Sequence, residues 1–126
     1  MSKICTSIEQ SKKLIELGLD IYTADMYWWE CYGWKLNANP YTEDVKNGFK
    51  KYELECIPTW SLSALLELIP ELDGRNPTLN RIINTNKWWI MYHSTAFLSL
   101  IRTKECDNPL DAVFEMTVYL LENKLL

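Results

Sequence analysis

The pattern of apolar and polar positions divides the chain into seven segments of regular structure. Near the N-terminus, apolar residues such as Ile8, Leu14 and Leu17 leave the charged residues between them free for water, as in an amphipathic helix. Thr6 and Glu9 have the spacing of a capping box. Gly18 suits the left-handed position that follows many helices. We therefore predict a first helix that begins at Thr6 and ends before Gly18.

Two strands are predicted after this helix. Residues 26–36 are rich in Tyr and Trp, which favour the pleated surface of a strand. Residues 37–40, with two Asn and a Pro, have the chemistry of a turn. In residues 49–57, polar and apolar side chains alternate from Lys51 onward, which is typical of a strand with one buried face.

The second half of the chain predicts two helices and further strands. Residues 58–70 place leucines and an isoleucine at helical spacing, with Thr59 or Ser61 as the N-cap. Residues 87–93 and 96–103 are predicted strands, and residues 79–83 are a further candidate. Asn108 and Pro109 then introduce a C-terminal helix whose apolar positions continue to Leu121.

The order of these segments predicts the fold class. Consecutive strands without intervening helices favour antiparallel pairing, so the order α-β-β-α-β-β-α indicates an α+β fold. We predict a single domain over residues 1–126, with one antiparallel sheet of four to five strands and three helices packed mainly on one face.

Composition and charge narrow the function classes. The 126 residues are 48% hydrophobic and 24% charged, as in an ordinary compact domain. The net charge of -4 disfavours general binding to nucleic acids or anionic membranes. Residues 88–101 form the longest apolar-leaning run, which is too short and too polar to cross a bilayer. The first residues lack the apolar segment of a secretory signal, which predicts a cytoplasmic protein.

The residue types that carry metal or redox chemistry form no recognisable motif. Cys5, Cys31, Cys56 and Cys106 are widely spaced and include no close pair of the kind that binds zinc, so free thiols are predicted. No metal site and no cofactor are assigned from the sequence.

Two groups of polar residues are candidates for catalysis. His93, the only histidine, is followed by Ser94 and Thr95, but no orienting acid accompanies them. Asp107, Asp111 and Glu115 recur at intervals of four and could bind a cation or act as an acid and base pair. A solvated helix face, with Asp111 favoured near the positive end of the helix dipole, also explains these carboxylates and is the preferred interpretation. No catalytic residue is assigned, and an enzyme is not predicted.

The aromatic content is unusually high, at 13% with six Trp and seven Tyr. In a strand over residues 27–34, Trp28, Tyr32 and Trp34 share one face and other rings occupy the opposite face. A sheet covered by helices on one side cannot bury both sets. Because Trp and Tyr dominate binding hot spots, we predict a protein-binding or self-association surface of Trp28, Tyr32 and Trp34. The alternative is that loops cover the second face.

A basic segment suggests a second function. Residues 81–104 carry cations and aromatic rings without an acid, a combination that single-stranded nucleic-acid binders use. Because neighbouring residues of a strand point to opposite faces, at least one ring of Trp88 and Trp89 is expected in the core. The candidate nucleic-acid residues are Arg81, Lys87, Trp88, Arg102 and Lys104.

Several stretches carry a resemblance to a known group of proteins. They are residues 4–14 (ICTSIEQSKKL), 23–26 (TADM), 58–66 (PTWSLSALL) and 108–112 (NPLDA). With these, the chain resembles the short proteins of unassigned function encoded by phages, prophages and mobile elements of Bacteroides-type gut bacteria. The resemblance extends over nearly the whole length. It implies a small intracellular accessory protein and brings no activity, substrate or catalytic residue.

Overall fold

The computed structural model describes residues 3–30, 32–38, 50–51, 54–72, 74–92 and 101–126. Within these ranges the chain has an α+β fold, as predicted. The helices are α1 (Ile8–Glu16), α2 (Leu62–Leu68) and α3 (Pro109–Glu122), and a 3-10 turn spans Ile21–Thr23. The strands are β1 (Met26–Glu30), β2 (Trp34–Ala38), β3 (Lys50–Lys51), β4 (Leu54–Thr59), β5 (Thr78–Arg81), β6 (Trp88–Tyr92) and β7 (Ile101–Arg102).

The described strands form two antiparallel sheets rather than one. The first has the order β2-β1-β4, with the two residues of β3 added at the edge of β4, and the second has the order β5-β6-β7. The prediction of one sheet of four to five strands is therefore wrong. The strands before α2 pair among themselves, and so do those after it.

The chain divides into two compact units. One comprises residues 4–64, and the other comprises Lys3 with residues 65–126. The first unit contains the first sheet and α1, and the second contains the other sheet and α3. The single-domain organisation of residues 1–126 stays a prediction.

The aromatic segment is a hairpin, not the single strand predicted over residues 26–36. The backbone reverses because Tyr32 and Gly33 both adopt positive φ, at 53° and 108°. Glu30 pairs with Trp34, and the Glu30 side chain accepts a hydrogen bond from the Gly33 N–H at 3.0 Å. Asn37 and Ala38, which are predicted to form a turn, lie within β2, and Asn39 and Pro40 lie outside the described residues.

The predicted strand over residues 49–57 is also interrupted. Lys50 pairs with Glu55 and Lys51 with Leu54, so the chain reverses between β3 and β4. Phe49, Tyr52 and Glu53, which belong to this prediction, lie outside the described residues.

The first helix begins one residue later than the capping-box prediction. Ser7 is the N-cap: its hydroxyl accepts the Gln10 N–H at 3.1 Å, and the Gln10 side chain accepts the Ser7 N–H at 3.0 Å. Thr6 and Glu9 do not form the box, because the Thr6 hydroxyl is bound elsewhere in the core. Gly18 has a φ of 95° after the helix, which confirms its predicted position.

A cluster of three buried hydroxyl groups joins α1 to β4. The Thr6 Oγ1 atom lies 2.8 Å from Ser11 Oγ and 2.5 Å from Thr59 Oγ1, and all three residues are fully buried. Thr6 Oγ1 also accepts the Trp60 N–H at 3.1 Å. Buried hydroxyl groups are tolerated only when they are paired, and here they pair with each other and with the backbone.

The second helix begins where Ser61 caps it. The Ser61 Oγ atom accepts the Ala64 N–H at 3.1 Å, and the Asp25 carboxylate binds both the hydroxyl and the backbone N–H of Ser61. Ser61, one of the two predicted N-caps, is thus confirmed. The helix is shorter than predicted, because Pro58 and Thr59 belong to β4.

The core of residues 65–126 is built from α3 and β6. Asn108 caps α3 and Pro109 occupies its first turn, as predicted. The helix contacts β6, whose residues Ile90 and Tyr92 are buried. The Tyr92 hydroxyl donates to the Pro70 carbonyl at 2.7 Å and so ties β6 to the segment after α2.

Candidate functional site

Trp28 and Trp34 lie on the same face of the β1–β2 hairpin. Trp28 pairs with Leu36 and Trp34 with Glu30, and alternation along both strands points the two rings to one side. Trp28 is half-buried, and its ring N–H donates to the Thr6 carbonyl at 3.1 Å. Trp34 lies nearer the hairpin tip and remains 36% exposed.

Tyr32 occupies the tip of this hairpin. Its side chain is fully exposed, and its backbone is in the left-handed region with a φ of 53°. This conformation costs a residue with a side chain roughly 1–2 kcal/mol, which is why glycine is preferred there. The hairpin therefore presents the Tyr32 ring to solvent from a backbone position that favours glycine.

The opposite face of the hairpin is buried around Tyr27. Tyr27 and Cys56 are almost inaccessible, and Trp29 packs against them. The Tyr27 side chain is therefore inaccessible on this face, and coverage by loops stays a prediction. Of the three predicted partner-binding residues, Tyr32 and Trp34 are exposed. Trp28 is half-buried, and its ring is hydrogen-bonded to the Thr6 carbonyl.

The candidate nucleic-acid residues lie on different faces of the second sheet. Arg81 pairs with Trp88, which shares a strand face with the buried Ile90. Arg102 pairs with Met91 on the other face. Trp88 is half-buried and also pairs through its backbone with Cys106.

The cations of the basic segment have partners within the chain. Lys87 forms an ion pair with Asp107, and this hydrogen bond and charge raise the pKa of Lys87. Lys104 lies 3.6 Å from Glu115. The Arg102 guanidinium stacks over the Trp89 ring, with 4.6 Å between its central carbon and the ring centroid. Arg81 donates from Nε to the Thr85 carbonyl at 3.1 Å.

The three C-terminal carboxylates interact with separate cations. Asp107 and Glu115 pair with the two lysines of the basic segment, and Asp111 binds Lys3 at 2.9 Å. The sequence predicts one helix face for all three carboxylates. Asp107 instead precedes α3, and only Asp111 and Glu115 lie within the helix. Within the described residues no group of three potential ligands is arranged for a metal ion.

The described cysteines are unsuited to nucleophilic chemistry. Cys5, Cys56 and Cys106 are buried and unbridged. Burial, together with the nearby carboxylates of Glu115 and Asp111, raises the pKa of the Cys106 thiol and keeps it protonated. Cys31, His93, Ser94 and Thr95 lie outside the described residues.

A groove beside β7 was not predicted from the sequence. It has a volume of about 380 Å³ and lies between the segment that contains β7 and the helix α3. Its lining residues are Ile101, Arg102, Thr103, Lys104, Glu115, Met116 and Tyr119. Local sequence carries no signal for this groove, because its walls come from two separate elements.

Comparison with known proteins found no relative of this chain. No family model, no curated protein and no solved structure matches the chain. The resemblance to proteins of phages and mobile elements therefore stays a prediction. Among the described residues, no helix combines the length and apolar character needed to span a bilayer.

Proposed function

We propose that this protein binds another protein through the tip of its β1–β2 hairpin. Tyr32 and Trp34 make the contact, and Trp28 supports the face behind them. The observation that carries this proposal is the fully exposed Tyr32 in a left-handed backbone conformation. With the resemblance noted above, the protein is proposed to act as a small cytoplasmic accessory protein of a phage or mobile element.

Tyr32 places an exposed aromatic side chain at a position of backbone strain. Three-residue hairpin loops favour Gly or Asn at left-handed positions, because these residues adopt positive φ with little strain. Tyr32 bears that strain and also leaves its ring in water. Strained residues on a surface are often maintained for binding, which supports an interaction role for this tip.

The hairpin also holds the rings in place before binding. Trp34 is fixed within the β1–β2 ladder, and the ring of Trp28 is held by its hydrogen bond to the Thr6 carbonyl. Aromatic side chains lose little conformational entropy on binding, and a rigid strand lowers that cost further.

Replacing Tyr32 by glycine tests the proposal in two ways. Relief of strain exceeds the added flexibility of the unfolded chain, so Tyr32→Gly is expected to raise the free energy of unfolding by about 0.5–1 kcal/mol. The same change, combined with Trp34→Ala, is expected to abolish partner binding. Urea denaturation measures the first effect. Photocrosslinking from position 32 in the native host, followed by mass spectrometry, identifies the partner whose binding is then measured.

The matched control is Tyr22→Ala, which removes an exposed tyrosine from the 3-10 turn of the same unit. This variant should keep the partner. Self-association would appear as a concentration-dependent dimer of the purified chain that Tyr32→Gly dissolves. A Tyr32→Gly, Trp34→Ala protein that retains every interaction of the wild type would refute the proposal.

Nucleic-acid binding through Arg81, Lys87, Trp88, Arg102 and Lys104 stays a prediction. The ion pairs of Lys87 and Lys104 count against it, because phosphate contacts would have to displace carboxylates. This function predicts binding that falls steeply with salt, whereas contact through the aromatic hairpin is expected to survive high salt and nuclease.

A further inference from the structure

Strand β2 forms a free edge of the first sheet. It stands at one end of the strand order, so within the described ranges no strand pairs with its outer side. Its inner side pairs with β1 along its whole length. Trp34 and Lys35 of this strand are exposed. An edge that is open in this way is a template for pairing with another chain.

Pro58 shows which backbone groups of the sheet point toward β2. Tyr27 of β1 pairs with Pro58 of β4, and proline has no N–H, so these two residues cannot exchange the two bonds of a hydrogen-bonded pair. The N–H and C=O groups of Tyr27 therefore point away from β4. They point toward Asn37, the partner of Tyr27 in β2.

The same alternation gives each backbone group of β2 a direction. In an antiparallel ladder, successive residues direct their N–H and C=O groups to opposite sides of the strand. Asn37 and Lys35 direct theirs toward β1. Trp34, Leu36 and Ala38 direct theirs to the free edge. The outward positions are thus arranged symmetrically about Leu36.

We propose that β2 pairs edge to edge with β2 of a second copy of this chain, antiparallel and about a twofold axis at Leu36. Leu36 of each copy exchanges two backbone hydrogen bonds with Leu36 of the other, and Trp34 pairs with Ala38 in the same way. Both edges carry the same pattern, so each outward N–H meets an outward C=O. This pairing uses the backbone of β2 and does not depend on the hairpin tip.

The side chains of β2 are compatible with this register. Leu36 lies opposite Leu36 on the face that carries Trp28 and Trp34, so apolar side chains meet there. On the other face Lys35 lies opposite Asn37, so no like charges are directly opposed. The two copies of Lys35 lie on a diagonal, where salt screens exposed charges.

Length and charge select this register over its neighbours. An axis at Leu36 pairs all five residues of β2, whereas an axis at Lys35 or at Asn37 pairs only three of them. An axis at Lys35 also places the two lysines directly opposite each other, which is unfavourable. Cations on edge strands are a common defence against pairing, and here Lys35 opposes the register centred on itself.

Sedimentation equilibrium of the full chain tests the dimer. Five residue pairs form a small interface, so we expect a weak dimer with a dissociation constant below about 1 mM. Hydrogen exchange measured by NMR tests the edge. The Leu36 amide should exchange more slowly as the protein concentration rises, whereas the amides of Lys35 and Asn37, which already face β1, should change less.

Substitutions of Asn37 test the register, because each acts twice across the axis, opposite Lys35. Asn37→Asp should strengthen the dimer about threefold, and Asn37→Lys should weaken it by about the same factor. A folding defect does not strengthen a dimer, so the pair of opposite effects is specific to the register. Asn86→Asp and Asn86→Lys make the same charge changes at an exposed position in residues 65–126 and should leave the dimer unchanged.

Three results would overturn the proposal. They are a chain that stays monomeric up to about 1 mM, Asn37 variants that behave like the matched Asn86 variants, and a Leu36 amide whose exchange is independent of concentration. Tyr32→Gly should leave the edge dimer intact. A dimer that Tyr32→Gly dissolves would instead place the contact at the hairpin tip, so the two proposals fail separately.

Discussion

At the scale of single residues, Tyr92 illustrates how burial changes the chemistry of a side chain. Its ring is buried in β6 and its hydroxyl donates to the Pro70 carbonyl. Burial raises the pKa of Tyr92 from 10.0 to about 12. The folded protein therefore holds this proton over a pH range in which the unfolded chain releases it.

This shift makes the stability depend on alkaline pH. Between pH 10.0 and about 12 the unfolded state ionises Tyr92 while the folded state does not, so the free energy of unfolding falls as the pH rises. Below pH 10.0 both states are protonated and the contribution is fully present. Urea denaturation at a series of pH values measures this fall.

Tyr92→Phe is the control for this effect. The variant lacks the hydrogen bond to Pro70 and should be about 1 kcal/mol less stable at neutral pH. It lacks the ionisable group, so its stability should fall less steeply above pH 10.0 and the difference from wild type should narrow. Parallel pH profiles for the two proteins would contradict the assigned pKa.

At the scale of elements, α1 is held by polar contacts as well as by apolar packing. The hydroxyl groups of Thr6, Ser11 and Thr59 form one buried cluster, and Thr6 also receives the Trp60 N–H. Thr6 precedes the helix and Thr59 ends β4, so the cluster sets the position of the helix N-terminus on the sheet. This role explains why Ser7, and not Thr6, caps the helix.

Removal of the Thr6 hydroxyl should be costly because its partners would stay buried. Thr6→Val is nearly isosteric but leaves the Trp60 N–H and two hydroxyl groups without their shared partner. We expect a loss of about 2 kcal/mol in the free energy of unfolding. Thr6→Ser keeps the hydroxyl and should lose less, and Thr78→Val, at an exposed site in β5, should change stability by less than about 0.5 kcal/mol. Equal stability of Thr6→Val and Thr6→Ser would refute this role.

At the scale of the whole molecule, the division into two units raises the question of whether they unfold together. Cys5 and Cys56 lie in residues 4–64, and Cys106 lies in the other unit. Each is buried and unbridged, so each thiol reports on the opening of its own surroundings.

The predicted single domain requires these thiols to become reactive together. In increasing urea, labelling by a thiol reagent should reach its midpoint at the same concentration for Cys5, Cys56 and Cys106. Mass spectrometry of the labelled peptides measures the three midpoints separately. Two distinct midpoints, divided between Cys106 and the other two residues, would show that the units unfold independently.

The sequence by itself determined the helices, the fold class and part of the candidate surface. Caps and periodicity act over a few residues, so Ser61, Asn108 and the course of α3 could be predicted from local patterns. The aromatic pattern also predicts a surface that includes Tyr32 and Trp34, and both side chains are exposed.

Only the tertiary structure decided how the strands pair and where surfaces open. A Tyr and Trp-rich segment suits one long strand or two short ones equally well, and the left-handed Tyr32 and Gly33 reveal the hairpin. The groove beside β7 depends on α3, which follows β7 in the chain but adds no local pattern to residues 101–104. Pairing and cavities arise from contacts between distant segments, and those contacts leave no period in the sequence.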